Sequence, residues 1–420
     1  MFFSFFDKIC IVNKNFKLII ANCKKMIVKK VKADTIKDAV KIVASSKCDE
    51  YVYEKLAKKI VGNSFIVEDI DNRAASVLKQ EALSCGCDVA VSKDVSLFKK
   101  GKSNIVICAN QNQIEKLTSK IKEQPFGLKL LSKQISDINS FQLKQIVCAD
   151  KKIALNKTLV MGIINLSPDS FFKNGIEDIN VAVETALQMQ KDGADIIDVG
   201  AESTRPGSKP VPVKQETEKI QRFLKSFRKK SKMPVSVDTY KPEVAKAALD
   251  EGADIINDIY ALRYKNKSMA KIVAKNKAAV ILMHMKKKPL TMQQNIRYNN
   301  TLSDIFNFLS KQLDFALDNG INKESIIIDP GIGFGKTVED NLLIIKRLFE
   351  FKSLNVPVLM ALSNKSFLAK VLGTEDFSER QLATAIANMV SVMNGADILR
   401  VHNVKETVNA LKVVNSIRGI

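Results

Sequence analysis

The stretch Asp192-Gly-Ala-Asp-Ile-Ile-Asp-Val-Gly-Ala-Glu-Ser-Thr-Arg205 contains, in order, a helix end, a short apolar strand and a polar strand end. Glycine commonly follows the last turn of a helix, and the apolar run after it has the length of a strand. Glu251-Gly-Ala-Asp254 and Asn394-Gly-Ala-Asp397 repeat the first part of the pattern. We predict that these repeats are structural helix-to-strand turns on the non-catalytic face of the sheet.

Apolar runs of strand length recur from residue 156 onward, separated by segments of helical periodicity. The eight runs are 159–164, 195–199, 234–237, 254–256, 278–283, 325–328, 357–361 and 397–401. Such runs indicate a parallel sheet covered by helices. A doubly wound open sheet has the same periodicity, but the count of eight favours closure. We therefore predict an α/β fold, with a (β/α)8 TIM barrel over residues 156–420.

The first 150 residues follow a different pattern, which predicts a smaller α/β N-terminal domain of unknown role. Residues 63–69, 88–91 and 104–109 are predicted strands, and residues 72–84 and 111–123 are predicted helices. The junction is expected near Asp150-Lys-Lys152. All seven cysteines lie in this region, and their scattered placement is typical of reduced thiols. Cys85 and Cys87 are too closely spaced for a zinc knuckle, so we predict that they pack as small hydrophobes.

The chain is strongly basic, with 66 Lys and Arg against 45 Asp and Glu and a net charge of +21. The lysines are spread over the whole chain without interleaved aromatics, which favours a solvated surface over a nucleic-acid site. No apolar run approaches the roughly 20 residues of a membrane span. The first residues lack the basic region of a secretory signal and the arginines of a mitochondrial presequence. We expect a cytoplasmic protein without a nucleic-acid or membrane partner.

Polar residues follow the predicted strands, at the end where a parallel barrel forms its active site. They are Asn165, Glu202-Ser-Thr-Arg205, Asp238, Asn257, His284, Asp329, Ser363-Asn-Lys365, Arg400 and His402. The carboxylates and amide of Asp238, Asn257 and Asp329, with Lys365 nearby, suit a flat, nitrogen-rich bicycle. Arg205, Arg400 and His402 suit phosphate oxygens. The Asn165 amide oxygen is a suitable ligand for Mg2+.

The segment Gly331-Ile-Gly-Phe-Gly-Lys-Thr337 is rich in glycine but is not a nucleotide motif. Pro330 occupies the place of the first Walker glycine, and the third glycine is one position early for a dinucleotide loop. We predict a flexible loop that brings Phe334 over a pocket. Of the two histidines, His284 is predicted to be a structural strand-end residue, with a ligand role left open. His402 shares a strand face with Arg400, which favours a ligand role.

Eight sequence blocks, in order and at matching spacing, resemble the signature of bacterial dihydropteroate synthases. They are Met161-Gly-Ile-Ile-Asn-Leu-Ser-Pro-Asp-Ser-Phe171, Ile197-Asp-Val-Gly-Ala-Glu-Ser-Thr-Arg-Pro-Gly207, Val235-Ser-Val-Asp-Thr239, Ile256-Asn-Asp258, Leu282-Met-His-Met285, Ile328-Asp-Pro-Gly-Ile-Gly-Phe-Gly-Lys336, Ser363-Asn-Lys-Ser366 and Arg400-Val-His402. The resemblance spans the whole predicted barrel, and it implies a transferase of folate biosynthesis from a family targeted by sulfonamides.

The resemblance implies that p-aminobenzoate is joined to 6-hydroxymethyl-7,8-dihydropterin diphosphate, giving 7,8-dihydropteroate and diphosphate. The C–O bond would ionise first, and the aniline nitrogen would attack the pterin cation. The implied roles are pterin binding for Asp238, Asn257, Asp329 and Lys365, diphosphate binding for Arg400 and His402, Mg2+ binding for Asn165, and contact with p-aminobenzoate for Thr204, Arg205, Pro206, Phe334 and Ser363. Asp169 would stabilise the reacting pterin, which places it with Lys365, Arg400 and His402 in the catalytic set. A homodimer is also implied.

Two positions depart from the family pattern near the expected active site. Asn364 stands where the family has arginine, and Asn403 stands where it has aspartate. Asn364 removes a positive charge on the acceptor side. The rival hypotheses are a methyltetrahydrofolate methyltransferase serving a corrinoid protein, a barrel that has lost catalysis, and a basic nucleic-acid binder. The segment Thr204-Arg-Pro-Gly207 and Lys365 argue against the first, and the complete set of strand-end residues argues against the others.

Overall fold

The computed structural model describes residues 35–44, 50–140, 144–166, 178–202, 210–264, 268–287, 291–374 and 376–419. The chain divides into two compact units, of which one ends at Asp137 and the other begins at Ile138. Each unit encloses its own hydrophobic core. In the described part of the chain, no helix is both long enough and apolar enough to cross a membrane.

The first unit is a three-stranded antiparallel sheet with helices, and its three strands and two of its helices lie where the sequence predicts them. Its strands are β1 (Gly62–Asp71), β2 (Asp88–Ala90) and β3 (Lys102–Asn110), in the order β1-β3-β2. Its helices are α1 (Ile36–Ala44), α2 (Tyr53–Ile60), α3 (Asn72–Ser84), α4 (Lys93–Ser96), α5 (Gln111–Ile121) and α6 (Leu128–Ser140). Helices α3 and α5 begin at the predicted residues because Asp71 and Asn110 accept hydrogen bonds from first-turn N–H groups.

The Cys85-Gly-Cys87 segment lies at the core of this unit. Cys87 is buried and Cys85 half-buried, and both are free thiols. Burial raises the pKa of the Cys87 thiol to about 11, so it is not a thiolate at neutral pH. No group of three or more His, Cys, Asp or Glu side chains suited to a metal ion occurs among the described residues. Cys87 therefore packs as a small hydrophobe.

The second unit contains an eight-stranded parallel barrel. Its strands are β6 (Leu159–Asn165), β7 (Ile196–Gly200), β8 (Val235–Asp238), β9 (Ile255–Asp258), β10 (Ala279–Met283), β11 (Ile326–Asp329), β12 (Leu359–Met360) and β13 (Ile398–Val401). Hydrogen-bonded neighbours follow the order β11-β10-β9-β8-β7-β6-β13-β12. A parallel bridge between Ile328 and Val358 joins the two ends of this order. The predicted closed barrel is confirmed.

Helices surround the barrel between and after the strands. They are α7 (Ile179–Lys191), α8 (Val213–Arg228), α9 (Pro242–Asp250), α10 (Ser268–Lys275), α11 (Thr301–Asp318), α12 (Val338–Lys346), α13 (Ser366–Leu372), α14 (Phe377–Met393) and α15 (Val404–Gly419). The strand predicted at residues 357–361 is shorter than expected. Only Leu359–Met360 pairs regularly with β13, and Val358 makes the single bridge to β11.

A hairpin that the sequence analysis did not predict fills the amino-terminal end of the barrel. It consists of β4 (Gln145–Cys148) and β5 (Lys151–Ala154), paired antiparallel. Ile146, Cys148 and Ile153 are buried in one cluster with the first inward residues of the barrel strands. The junction expected at Asp150-Lys-Lys152 therefore lies in this hairpin, inside the second unit.

The three Gly-Ala-Asp repeats have one shared role. The carboxylates of Asp195, Asp254 and Asp397 accept hydrogen bonds of 2.8–2.9 Å from the backbone N–H groups of Val160, Val235 and Val358, on the neighbouring strands. Each carboxylate also pairs with a cation, and these cations are Lys157, Arg228 and Lys352, respectively. The repeats fix adjacent strands at the amino-terminal end, which is the structural role that the sequence analysis assigned to them.

Candidate active site

The inward-facing side chains change from apolar to polar along each strand. Ile196, Ile255, Ile327 and Ile398 belong to the cluster inside the barrel. Successive side chains on a strand alternate between faces, so residues two positions further along face inward as well. These residues are Asp198, Asn257, Asp329 and Arg400. Ser236 is the register partner of Asp198 and faces inward with it, so Asp238, two positions further along, faces inward as well. The carboxyl-terminal end of the barrel is therefore lined with polar groups, as predicted.

Arg400 joins two carboxylates inside the barrel. Its Nε donates to Asp198 Oδ2 at 2.6 Å and its Nη2 donates to Asp238 Oδ2 at 2.7 Å. Asp238 is the register partner of Asn257 on β9, whose Nδ2 donates to Asp198 Oδ2 at 3.4 Å. Arg400 is thus bonded to the carboxylate set, although the sequence analysis grouped it with the anion-binding residues.

Burial raises the pKa of two carboxylates in this layer, those of Asp238 and Asp329. The pKa of Asp238 rises to about 7, because desolvation and the neighbouring Asp198 outweigh the attraction of Arg400 and Lys365. Burial also raises the pKa of Asp329, whose Oδ1 accepts from the backbone N–H of Gly331 at 2.6 Å. Raised carboxylate pKa values in a polar, inward-facing cluster are typical of functional sites.

Asp198 is a site residue that the sequence analysis missed. It is fully buried, and its Oδ1 has no hydrogen-bond partner within the described residues. The Oγ of Ser236, the register partner of Asp198 on β8, is also buried without a hydrogen-bond partner among the described residues. Buried polar atoms are normally satisfied, so these two mark a place where a ligand or an ordered water would donate. The sequence feature that could have identified Asp198 is a carboxylate in the middle of the apolar run 195–199.

The segment 331–337 forms a tight loop that carries Phe334 to the site. Gly331 has φ of 72°, and a Cβ on it would lie 1.9 Å from the carbonyl oxygen of His284, so only glycine fits there. The ring of Phe334 lies against Lys365, with Nζ 4.3 Å from its centroid. Phe334 also packs against a cluster that includes Tyr240, Met283 and Met285. The loop therefore places Phe334 beside Lys365 at the strand ends.

Ser363 and His402 contact each other at the ends of β12 and β13. His402 Nδ1 lies 3.0 Å from Ser363 Oγ. Asn364 has φ of 58°, a left-handed conformation that asparagine adopts more readily than most residues, and its N–H donates to Thr384 Oγ1. Asn403 Oδ1 accepts from the N–H of Glu406 at 3.5 Å, at the start of α15. Both departures from the family pattern therefore have local backbone roles.

A buried ionic cluster lies beside the site, and of its members the sequence analysis named only Glu202. Lys241 Nζ donates to Glu202 Oε2 and Glu216 Oε2, each at 2.5 Å, and Tyr240 Oη donates to Glu202 Oε1 at 2.8 Å. Glu202 Oε2 also accepts from the N–H of Val211. The cluster joins residues that are far apart in sequence, which no local pattern reveals. Thr204, Arg205 and Pro206, like Asp169, lie outside the described residues.

The two histidines differ in their surroundings. His284 is buried, and its Nδ1 lies 3.0 Å from the Nζ of Lys336. Burial, and then the charge of Lys336, lower its pKa well below the usual range, so it is neutral at pH 7. His402 is half-buried at the strand end. The structure therefore places His284 in a packing environment and His402 at the rim of the barrel.

Asn165 is the last residue of β6, which lies next to β13 in the barrel. Its half-buried amide lies on the same face as Met161, which is part of the interior cluster. One amide oxygen fits Mg2+, which commonly takes one or two protein oxygens and fills its octahedron with waters and substrate phosphates. The Asn165 amide oxygen could therefore take one position on a magnesium ion.

Comparison with known proteins shows the family of this chain. The model of the family described as pterin binding enzyme matches residues 161–402. The dihydropteroate synthase of Clostridium beijerinckii is 41% identical over 263 residues, covering 62% of this chain and 94% of the relative. The chain belongs to the pterin-binding enzyme family, among the dihydropteroate synthases. The family assignment made from the sequence blocks is confirmed, and the chain is a transferase.

Other members of the pterin-binding enzyme family extend the comparison. A Helicobacter pylori protein named bifunctional dihydropteroate synthase/dihydropteroate reductase is 32% identical over 395 residues, covering 93% of this chain and 99% of that protein. The Xanthomonas albilineans dihydropteroate synthase solved with 4-aminobenzoic acid is 35% identical, covers 66% of this chain and 100% of its own, and has a TM-score of 0.61. The same enzyme has been solved with 7,8-dihydropteroate, with a TM-score of 0.59.

Proposed function

We propose that this synthase condenses p-aminobenzoate with 6-hydroxymethyl-7,8-dihydropterin diphosphate at the carboxyl-terminal end of its barrel. The observation that carries the proposal is the inward-facing layer of Asp198, Asp238, Asn257 and Asp329 in a barrel of this family. Within it, Arg400 bonds Asp198 and Asp238, and Asn257 bonds Asp198. Asp238, Asn257, Asp329 and Lys365 would bind the pterin. Carboxylates accept the paired N–H donors of its amidine-like edge, and the Asn257 amide both donates and accepts.

The same groups suit the charge that develops during the reaction. Loss of diphosphate leaves a cationic pterin, which fixed carboxylates beneath it stabilise without reorganisation. His402 and Arg400 would hold the leaving diphosphate, and Asp169 would assist from its own segment. Thr204, Arg205, Pro206, Phe334 and Ser363 would border p-aminobenzoate. Lys365, beside both Phe334 and the carboxylates, lies where the two substrates would meet.

The proposal assigns some residues to the pterin diphosphate and others to p-aminobenzoate, so variants of the two groups should affect different KM values. Asn257→Ala should raise KM for the pterin diphosphate at least tenfold and leave KM for p-aminobenzoate within about threefold. Phe334→Ala should do the reverse. If both variants affect both substrates equally, the proposed division of the site is wrong.

We also propose that Mg2+ is the cofactor, bound by Asn165. The ion would neutralise charge on the leaving diphosphate. Chelation should abolish turnover, Mg2+ should restore it, and Asn165→Ala should need a higher Mg2+ concentration for half-maximal rate. The matched control is Asn180→Ala, at an exposed position on α7. Full turnover after chelation would contradict the proposal.

The surface of α14 supports a homodimer as the working assembly. Leu382, Ile386, Val390 and Met393 lie on one face of this helix and are 44–68% exposed. The opposite face, which packs on the barrel, carries the buried polar residues Arg380, Thr384, Asn388 and Ser391. A helix that presents its apolar face to solvent is typical of a subunit interface. A second copy of the chain is the occupant that the family resemblance implies.

The test of the homodimer is the oligomeric state of a variant with lysine on this face. Ile386→Lys should weaken self-association at least 100-fold, about 2.7 kcal/mol, because it places a charge in an apolar contact. Sedimentation velocity measures the change. Leu317→Lys, at an exposed apolar position on α11, is the control and should leave the assembly unchanged. A monomeric wild-type protein would contradict the proposal.

The match to the Helicobacter protein covers more of this chain than the match to the Clostridium synthase, and it leads us to propose a second activity. The similarity to the Helicobacter protein named as a synthase and reductase covers both units of this chain, whereas the Clostridium synthase matches 62% of it. We propose that this chain also reduces 7,8-dihydropteroate to the tetrahydro form. The step adds two electrons and two protons, so a reduced nicotinamide or reduced flavin must be its donor.

The reductase proposal is tested with purified full-length protein and 7,8-dihydropteroate. NADPH is supplied alone or with FMN, and tetrahydropteroate is quantified by chromatography. The expected result is tetrahydropteroate formed in proportion to the protein and to the donor consumed. Donor consumption that does not depend on dihydropteroate, or no product with either donor system, would contradict it.

A further inference from the structure

Lys336 is a buried lysine whose side chain bonds to neutral groups. It is 4% exposed and lies in the loop that carries Phe334, two residues after it. Its Nζ lies 3.0 Å from His284 Nδ1, 3.4 Å from the His284 carbonyl oxygen and 3.2 Å from the Phe334 carbonyl oxygen. In the described part of the chain, no carboxylate forms an ion pair with it. An ammonium group has three N–H donors, so these three acceptors match its capacity.

Desolvation of the Lys336 ammonium group costs free energy, which indicates that this side chain has a role other than filling space. Burial lowers the pKa of Lys336 to about 7, against the attraction of Asp329 and Asp340. A methionine of similar length would fill the same space without that desolvation cost. What methionine would not supply is the connection between two chain segments, the end of β10 at His284 and the loop at Phe334.

The connection reaches the site through Phe334. The carbonyl of Phe334 is bonded to Lys336, and its ring contacts Lys365 Nζ. The same loop is held by further bonds, since Gly333 N–H donates to Asn341 Oδ1 and Gly335 O accepts from Tyr298. Gly331 N–H bonds the start of this loop to Asp329 on β11, and Lys336 bonds the Phe334 carbonyl to His284, the residue after β10. The Lys336 bonds therefore hold the Phe334 backbone near the end of β10.

We propose that Lys336 is a positioning residue for the acceptor substrate: it ties Phe334 to His284 and so holds the Phe334 ring against Lys365. This inference rests on the proposed role of Phe334 beside p-aminobenzoate. It predicts a selective loss of acceptor binding when the connection is broken. A residue that served only stability would affect the two substrates alike.

The experiment compares the steady-state parameters of Lys336→Met, Phe334→Ala and the double variant with those of the wild-type protein. Lys336→Met should raise KM for p-aminobenzoate at least tenfold and KM for the pterin diphosphate less than threefold. Because Lys336 acts through Phe334, the double variant should lie within twofold of Phe334→Ala alone. Lys346→Met makes the same chemical change at an exposed position on α12 and should match the wild type.

Two His284 variants keep the test decisive if Lys336→Met does not fold. His284→Asn retains an acceptor near the position of Nδ1 and should stay within threefold of the wild type in KM for p-aminobenzoate. His284→Leu removes that acceptor and should raise this KM at least fivefold. Equal damage by both His284 variants would overturn the inference.

The remaining outcomes separate this inference from the function on which it rests. If Phe334→Ala leaves KM for p-aminobenzoate unchanged, the proposed role of Phe334 fails and the inference fails with it. If Phe334→Ala raises that KM but Lys336→Met and His284→Leu do not, the inference alone is wrong. Equal effects of Lys336→Met on both substrates, or effects that add fully to those of Phe334→Ala, would also overturn it.

Discussion

Asp198 has the least exposed carboxylate of the polar layer. It connects Asn257, which is proposed to bind the pterin ring, with Arg400, which is proposed to bind the diphosphate of the same substrate. Its Oδ2 accepts from both Arg400 and Asn257. Hydrogen bonds to a charged, buried group contribute about 1.5–3 kcal/mol. Removing its charge should therefore disturb both partners without removing either.

Asp198→Asn should lower kcat/KM for the pterin diphosphate about 10- to 100-fold, as expected from the loss of about 1.5–3 kcal/mol. Circular dichroism should remain unchanged, because an amide fits the same space. Asp192→Asn, at the end of α7, is the control for the same chemical change. Retention of wild-type kcat/KM in Asp198→Asn would show that Arg400 and Asn257 do not need this carboxylate.

Asp238 gives the site a pH dependence. Its raised pKa, about 7, means that the native state holds a proton there at pH values where the unfolded chain has lost it. Between about pH 4 and 7 the native state binds more protons, so the contribution of Asp238 to the free energy of unfolding falls as pH rises. The ionised carboxylate accepts N–H donors at both oxygens, whereas the protonated form presents an O–H at one of them. Pterin binding should therefore strengthen over the same range.

The expected result is a kcat/KM for the pterin diphosphate that falls as pH drops below about 7. Asp238→Asn should have a lower kcat/KM throughout, without this acidic limb. The full pH profile of both proteins provides the measurement. An acidic limb of the same midpoint in Asp238→Asn would assign the titration to another group.

At the scale of elements, the sequence predicted the barrel because periodicity and turn chemistry are local. The Gly-Ala-Asp repeats and apolar runs located seven strands closely, while the run at 357–361 yielded only β12 because most of it does not pair regularly. The β4–β5 hairpin was missed, since two four-residue strands joined by Ala149-Asp150, the second beginning with Lys151-Lys152, resemble a linker. Its role depends on packing inside the barrel, which local sequence does not encode.

The Gly-Ala-Asp repeats predict a specific loss of stability. Asp254 is 5% exposed in its side chain, accepts from Val235 N–H, and pairs with Arg228 and Lys151 at 2.6 and 2.7 Å. Asp254→Asn should lower the free energy of unfolding by about 2–4 kcal/mol, because two partly buried cations lose their partner. Asp250→Asn breaks an exposed pair with Lys246 and should cost less than about 0.5 kcal/mol in the same urea titration. Equal effects would contradict this role.

The residues of the candidate site were predictable where a polar residue lies at the end of a predicted strand. Asp238, Asn257, Asp329 and Arg400 were found because every strand end of a parallel barrel meets at one face. Asp198, Lys336 and the Lys241 cluster were missed because their roles arise from pairing across long sequence separations. Arg400 and Asp198, for example, are bonded although 202 positions separate them.

At the scale of the whole molecule, the unit beginning at Ile138 is the expected minimum for synthesis. The Clostridium relative is a synthase, and its match covers 62% of this chain and 94% of the relative. The hairpin at 145–154 belongs to this unit and buries Ile146, Cys148 and Ile153. Burial of each such side chain contributes up to about 1.5–3 kcal/mol, and a domain is stable by only about 5–15 kcal/mol.

Two truncations test this boundary. Residues 138–420 should fold and condense the two substrates, whereas residues 156–420, without the hairpin, should be insoluble or unfold at a much lower temperature. Thermal unfolding and dihydropteroate formation are the measurements. Equal stability of the two truncations would show that the hairpin does not complete the barrel core.

The central claim is that the strand ends of this barrel form a working dihydropteroate synthase site. Its most direct test incubates the purified full-length protein with the pterin diphosphate, p-aminobenzoate and Mg2+, and measures 7,8-dihydropteroate by chromatography. We predict product that requires both substrates, with at least a 100-fold lower rate for Lys365→Ala. No product from the wild-type protein above that of Lys365→Ala would contradict the claim.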